Sequence, residues 1–172
     1  MNSQYAIPDL IQQIGRQILS AHPILDQIVL VGILSVGYPL AQRLAFFLEK
    51  ETGNPVQVGK LDVALYRDDL FSRQDFVTLR ESDIPFSIEG KILILVDDVL
   101  FHGRTIRAAL NALLDFGRPL TIELAVLIDR GHRQLPIFAH YCGAQLQTST
   151  DDHVEVQLYE IDGDDKIILE RK

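Results

Sequence analysis

Ile92-Leu93-Ile94-Leu95-Val96-Asp97-Asp98-Val99-Leu100-Phe101-His102-Gly103-Arg104-Thr105 is the stretch on which the fold and the chemistry turn. Five branched or long apolar residues in a row read as a strand buried on both faces. Two adjacent carboxylates stand at its carboxyl end, a short loop with Gly103 follows, and a helix is expected from about Thr105. That helix carries Ile106, Ala109, Leu110 and Leu113 on one stripe, with Gly117 and Pro119 to stop it. Backbone amides at a helix N-terminus attract an anion, and glycine lets a phosphate come close. The carboxylates repel phosphate themselves; they suit the vicinal hydroxyls of a ribose, or a Mg²⁺ bridging sugar and diphosphate oxygens. Together these groups describe a phosphorylated pentose. A bare Asp-Asp pair more often ends a strand and caps a turn; strand, glycine, threonine and amphipathic helix in sequence favour the ligand.

Outward from this run, other strands alternate with helices. Ile28 to Ile33 is a second buried strand, followed by a helix opened by Pro39 with Leu40, Leu44, Phe47 and Leu48 on one face and ended by Gly53-Asn54-Pro55. Phe46 and Phe47 are expected in the core. Val56 to Tyr66 reads as a strand with Gly59 as a bulge site. Arg67 to Asp83 is polar and weakly periodic, the pattern of a mobile loop. Ile122 to Ile128 is a third buried strand, and Val154–Glu160 with Lys166–Glu170 suggest a terminal hairpin turning at Asp162-Gly163-Asp164. The alternation predicts an α/β fold with a mostly parallel central sheet flanked by helices, ligands binding beyond the carboxyl ends of the strands. The loops after Ile33, Val96 and Ile128 therefore matter most.

Composition narrows the partners. The 172 residues carry 16 Lys and Arg against 24 Asp and Glu, a net charge of −8, so a broad nucleic-acid footprint is disfavoured. The length suits one domain over residues 1–172. The lone Cys142 makes neither an internal disulfide nor a cysteine zinc site; it reads as a small buried hydrophobe. The segment Met1 to Leu19, polar and interrupted by Pro8 and Asp9, resembles neither a signal peptide nor a membrane span, and a cytoplasmic location is expected. Neither a Walker A string nor a three-glycine dinucleotide fingerprint occurs. His22, His140 and His153 lack ligand spacing, and Asp162, Asp164 and Asp165 lack the rest of a calcium loop.

The string VDDVLFHGRT resembles the phosphoribosyl-diphosphate (PRPP) motif of type I phosphoribosyltransferases. LDVALYRDDL (Leu61 to Leu70), SDIPF (Ser82 to Phe86), RAALNALLDFGRP (Arg107 to Pro119) and LAVLIDRGHRQLPI (Leu124 to Ile137) are similar to the pyrimidine-operon regulator family, whose members are also uracil phosphoribosyltransferases. The resemblance runs from about Gln12 to Asp165. It implies the type I fold with a flexible lid and a small C-terminal hood or hairpin, and transfer from PRPP to uracil giving UMP and diphosphate, with Mg²⁺ entering alongside PRPP and no tightly bound cofactor. It implies further that Asp97 and Asp98 are catalytic, holding the ribose hydroxyls, and that Val99, Leu100, Phe101, His102, Gly103, Arg104 and Thr105 form the PRPP and 5′-phosphate loop. Arg67, Asp68, Asp69, Arg73 and Arg80 fall in the lid, and Arg130, Gly131, His132 and Arg133 stand where the base is received. PRPP, uracil, UMP or UTP are the implied ligands, in a homodimer or larger homo-oligomer.

Several positions depart from the family pattern. The loop after the first strand, which grips diphosphate in the family with a Lys and an Arg, here reads Leu34-Ser35-Val36-Gly37. Two missing cations beside a multiply charged leaving group imply a loss of order a few kcal/mol in binding and transition-state stabilisation. His102 replaces a Thr and Phe101 a Tyr. On the face that meets messenger RNA in the family, Gln12, Gln13, Arg16 and Thr150 replace a mostly basic pattern, and residues 147–172 hold eight acids against three bases. Phosphate repulsion there argues against RNA binding. Positive charge is expected to concentrate on Arg104, Arg107, Arg130 and Arg133 around one mouth of the sheet. Two readings stay open: an active uracil phosphoribosyltransferase, and a catalytically degenerate homologue that senses nucleotide or binds a protein partner. RNA attenuation ranks below both.

Overall fold

The computed structural model describes residues 5–67 and 81–172. Its centre is a five-stranded parallel sheet in the order β2-β1-β3-β4-β5. The strands are β1 (Ile28–Ile33), β2 (Gln57–Leu61), β3 (Ile92–Leu100), β4 (Thr121–Asp129) and β5 (Tyr141–Gln145). All six residues of β1 are buried, and β3 is buried from Leu93 to Asp97. Such unbroken apolar runs belong to strands covered on both faces. Helices α1 (Ile7–Ala21) and α2 (Gly37–Thr52) pack on one face, against Leu30, Ile94, Val96 and Leu127. On the other face, α3 (Arg104–Leu113) packs Ile106, Ala109 and Leu113 against Val31, Leu95 and Val126. Burying a side chain of this size is worth about 1.5–3 kcal/mol.

The antiparallel pair β6 (His153–Gln157) and β7 (Lys166–Glu170) lies on the α1–α2 side, through Val154, Val156 and Ile167. The expected hairpin is present, but its connection is not a tight turn. The short helix α4 (Tyr159–Asp162), closed by Gly163 at φ 78°, links the two strands. Arg43 of α2 reaches across to it, donating to Glu160 at 2.5 and 2.8 Å and to Asp165 at 2.6 and 2.8 Å. Two bidentate pairs on one guanidinium use the geometry that distinguishes Arg from Lys.

Four sequence expectations need correction. Most of α1 falls within Met1 to Leu19, read as polar and interrupted. Pro8 sits in its first turn, where proline has no amide bond to lose, and Ile7, Leu10, Ile11, Ile14 and Ile18 form a complete buried stripe. Gly15 lets α1 approach α2, since a Cβ there would lie 2.2 Å from Phe47. Phe46, expected in the core, is 69% exposed. Gly59 is no bulge: the β1–β2 register runs unbroken from Val29↔Gln57 to Ile33↔Leu61. Its missing side chain instead admits Asp83 and Ile84, which a Cβ would meet at 3.0–3.3 Å. Residues 64–66 are a single 3₁₀ turn, not strand. Asp68, Asp69, Arg73 and Arg80 of the expected lid lie outside the described residues. Among the described residues no helix is long and apolar enough to cross a membrane.

Candidate functional site

The strand order places β2 to one side of β1 and β3 to the other, so the chain reverses direction across the sheet between β1 and β3. Crevices at such switch points are where open parallel sheets receive ligands. Pairing of β1 with β3 ends at Gly32↔Val96, whereas β3 continues beside β4 to Leu100↔Asp129. Asp97 and Asp98 thus emerge where β1 has stopped. The loop after β1 closes in from the side. A Cβ on Gly37 would stand 2.4 Å from the Val96 carbonyl oxygen, and one on Gly32 2.4 Å from Gly37 itself. Only glycine allows this packing. The Leu34–Ser35 peptide bond in that loop is cis.

The two carboxylates are held by the backbone around them. The Asp98 amide donates to Asp97 Oδ1 at 3.0 Å, and the Val99 amide to Asp98 Oδ1 at 2.8 Å. Burial pushes Asp97 well above the usual carboxylate range, and the charge of Asp98 pushes it further; Arg67 opposes the rise. Burial raises Asp98 as well, against its bond from Val99. A pair that cannot comfortably carry two negative charges alone is one that gains from hydroxyl donors or a cation.

Beside them lies a cavity of about 220 Å³, lined by Arg67, Asp97, Val99, Leu100, Phe101, His102, Gly103, Arg104, Thr105 and Ile106. It is small next to ordinary ligand pockets of roughly 300–1,000 Å³ and suits a sugar phosphate. Gly103, at φ 91°, is the N-cap of α3 and aims the first turn of that helix at the cavity. Every residue from Val99 to Thr105 lines this cavity, and of the two carboxylates Asp97 does. Arg104 is steadied by Gln134, whose side-chain oxygen accepts at 2.9 and 3.2 Å. His102 stacks on Phe101 with ring centroids 3.6 Å apart. Burial, with Arg104, Arg130 and His132 close by, lowers its pKa.

The segment after β4 brings its expected residues to one concavity. Arg130 borders it together with Gly131, His132 and Arg133, while its guanidinium is tied into the fold. It is 5% exposed and donates to the carbonyls of Ser149 at 2.9 Å and Asp152 at 2.7 Å and to Thr148 Oγ1 at 3.2 Å, its guanidinium 3.9 Å from the centre of the Phe101 ring. Arg133 pairs with Asp129 at 2.5 Å and donates to four backbone carbonyls. Gly131 and His132 both take positive φ, 75° and 59°, and the His132 ring reaches the Thr148 carbonyl at 2.7 Å. Among the described residues, Arg67 and Arg104 line the small cavity and Arg130 and Arg133 the larger one; Arg107 lies one turn along α3. The cavity that Arg130, Gly131, His132 and Arg133 share, about 470 Å³, also takes in Asp129, Phe138, Gln145 and Thr148. Gln134, Thr148, Ser149 and Asp152 were not singled out from the sequence. Gln134 stands inside the quoted DRGHRQLP string; the other three act on Arg130 across 18 to 22 residues, and no local pattern signals that.

Another concavity, about 810 Å³, lies elsewhere, along α1 and β5. Gln12, Gln13, Arg16 and Gln17 line it, with Asp9, His140 and Tyr141. Gln13 and Gln17 donate to the Cys142 carbonyl at 3.4 and 2.9 Å, and Gln17 accepts from the Cys142 amide at 3.1 Å. The side-chain amides thereby satisfy the outer edge of β5, so this groove belongs to sheet-edge protection more than to phosphate chemistry. Cys142 is partly exposed, not fully buried, and burial raises its thiol pKa.

Comparison with known proteins bears on this geometry. Residues 1–162 match the model of the phosphoribosyl transferase domain. The chain is 48% identical over 157 residues to the bifunctional protein PyrR of Pelotomaculum thermopropionicum, covering 91% of this chain and 87% of that protein. It is 52% identical over 147 residues to PyrR of Chloroflexus aurantiacus (86% and 81% covered), and 46% over 171 residues to PyrR of Bacillus pumilus (98% and 95%). Among solved structures, a hypoxanthine phosphoribosyltransferase from Trypanosoma cruzi superposes with TM-score 0.71 at 23% identity, over 96% of this chain and 90% of that one. A hypoxanthine-guanine phosphoribosyltransferase from Bacillus anthracis gives TM-score 0.68 at 19% identity, over 90% and 85%. At those identities the structural likeness concerns the fold.

Proposed function

From the premise that this chain belongs to the phosphoribosyl transferase family, among the PyrR proteins of the pyrimidine-operon regulator type, we propose that it binds PRPP and uridine nucleotides and transfers the phosphoribosyl group slowly to uracil. The observation that carries this reading is the meeting of Asp97, with Asp98 next to it in the chain, and the N-terminus of α3 at one small cavity by the β1–β3 switch point. In this reading the ribose hydroxyls donate to the two carboxylates, and the 5′-phosphate lies against Gly103, Arg104 and Thr105. Bond cleavage at the ribose carbon builds positive charge on the sugar and negative charge on the departing diphosphate. Buried carboxylates beside the ribose favour the first; Arg67 is the described cation nearest to the second.

Mg²⁺ suits this mouth as a companion of PRPP. The donors present are hard carboxylate oxygens, and among the described residues no three His, Cys, Asp or Glu converge into a cage of their own. When bound, the ion would neutralise diphosphate oxygens.

The uncharged loop Leu34–Gly37 favours a second reading, in which catalysis is lost and the same cavity serves as a nucleotide sensor for a protein partner. One assay separates the two: incubation with PRPP, Mg²⁺ and uracil, with UMP measured. The first reading expects slow formation of UMP that Asp97→Ala abolishes. No UMP above the control without protein, together with calorimetric binding of UMP, establishes the sensor instead. RNA attenuation ranks below both readings, since Gln12 and Gln13 stand where the family pattern is mostly basic and Gln13 is engaged with the Cys142 carbonyl. A salt-sensitive gel shift with a leader transcript would reverse that ranking. A homodimer or larger assembly is expected, and light scattering measures it.

A further inference from the structure

We propose that Arg133 is a positioning residue for the phosphate loop, setting its amides toward the ligand from behind instead of touching the base. The inference rests on reading Asp97–Thr105 as the 5′-phosphate site. Three successive carbonyls of that loop are captured by the segment after β4. Leu100 O accepts from the Arg130 amide at 3.1 Å and from Arg133 Nη1 at 3.3 Å. Phe101 O accepts from Arg133 Nη1 at 2.8 Å, and His102 O from the Gln134 amide at 3.1 Å. In a planar trans peptide the carbonyl and the following N–H point in opposite directions. Drawing the carbonyls of residues 100, 101 and 102 toward the 130–134 segment therefore turns the amides of Phe101, His102 and Gly103 the other way, and these three residues line the small cavity.

Arg133 is built for this task. Its Nη1 bonds the Leu100, Phe101 and Gly131 carbonyls, its Nε bonds Ile137 O at 3.0 Å, and its Nη2 pairs with Asp129 at 2.5 Å. Asp129 in turn accepts from the Gly131 amide at 2.9 Å through its other oxygen. A planar guanidinium with five donors can serve acceptors in several directions at once; an ammonium cannot hold that pattern. Packing agrees, because a Cβ on Gly103 would already touch Ile137 at 3.4 Å and Leu135 at 3.6 Å. The loop is thus backed along its length by residues 130–137.

Arg133→Ala and Arg133→Lys in the full chain test the assignment, the second keeping the charge beside Asp129 should the first fail to fold. Amide hydrogen exchange is read at residues 101–103, and calorimetry follows ribose 5-phosphate, UMP and uridine. Both variants should exchange faster at those amides and bind ribose 5-phosphate and UMP about tenfold more weakly, the scale of a lost hydrogen bond to a charged group, with uridine unchanged. Wild-type exchange rates in the folded variants would overturn the proposal. So would equal losses for uridine and UMP with ribose 5-phosphate unaffected, because that pattern marks a base contact. Faster exchange in a protein whose wild type binds no ribose 5-phosphate would uphold the positioning of the loop and defeat the phosphate reading of the site.

Discussion

The loops that follow β1 and β3 face each other across one crevice, and they differ in almost everything a phosphate can feel. The β3 loop brings two buried carboxylates, a glycine in the left-handed region, Arg104 and the first turn of α3. The β1 loop brings Leu34, Ser35, Val36 and Gly37, shaped by the same close packing on Val96 but without a charge. Backbone shape on that side has been kept while the electrostatics have gone. On the proposed reading, this loop has the glycines that let it pack without the cations that would let it grip an anion.

Restoring the missing charge is the strongest way to break this contrast. Leu34→Lys with Val36→Arg should raise UMP formation from PRPP and uracil by about 10²-fold, the usual worth of groups that stabilise developing charge, and leave UMP affinity nearly unchanged. Equal gains in both would mean the β1 loop faces the 5′-phosphate. Attacking the other loop comes next: Asp97→Ala with Asp98→Ala should weaken UMP by roughly tenfold or more through the lost hydroxyl acceptors, as calorimetry would register. Gly37→Ala tests the shared packing. A Cβ 2.4 Å from the Val96 oxygen forces backbone to move, at about 1–3 kcal/mol of stability in urea unfolding.

The smallest effect concerns pH. Burial raises both Asp97 and Asp98, so the folded state holds their protons more tightly than the unfolded chain. The stability they contribute is full below the ordinary carboxylate pKa of about 4 and is lost as pH rises through the raised folded values. Asp97→Asn should therefore raise Tm at neutral pH by a few degrees, and this advantage should vanish below about pH 4. A lower Tm for Asp97→Asn at pH 7 would show that the charged carboxylate is well compensated in the fold.

Strands β1, β3 and β4 were legible because they are apolar runs, and the passage from β3 through Gly103 to α3 because its parts are consecutive in the chain; β5 (Tyr141–Gln145) carries no such run. α1 was hidden by reading Pro8 and Asp9 as breakers, although a first turn tolerates both and the isoleucine stripe behind them is complete. Gly59 was misread because a missing side chain looks the same whether it relieves a bulge or admits Asp83 and Ile84. Arg130 and Arg133 follow a strand end, where exposed cations often meet ligands. Their acceptors include carbonyls 19 to 33 residues away in the chain, brought in only by the tertiary fold.

The most direct test of the contrast between the two loops is calorimetric titration of the unaltered protein with UMP and, separately, with PRPP in Mg²⁺. A site strong on the 5′-phosphate side and weak on the diphosphate side predicts that UMP binds at least as tightly as PRPP. PRPP binding about tenfold or more tighter than UMP would contradict it, because a diphosphate could gain that much only from a loop that grips it.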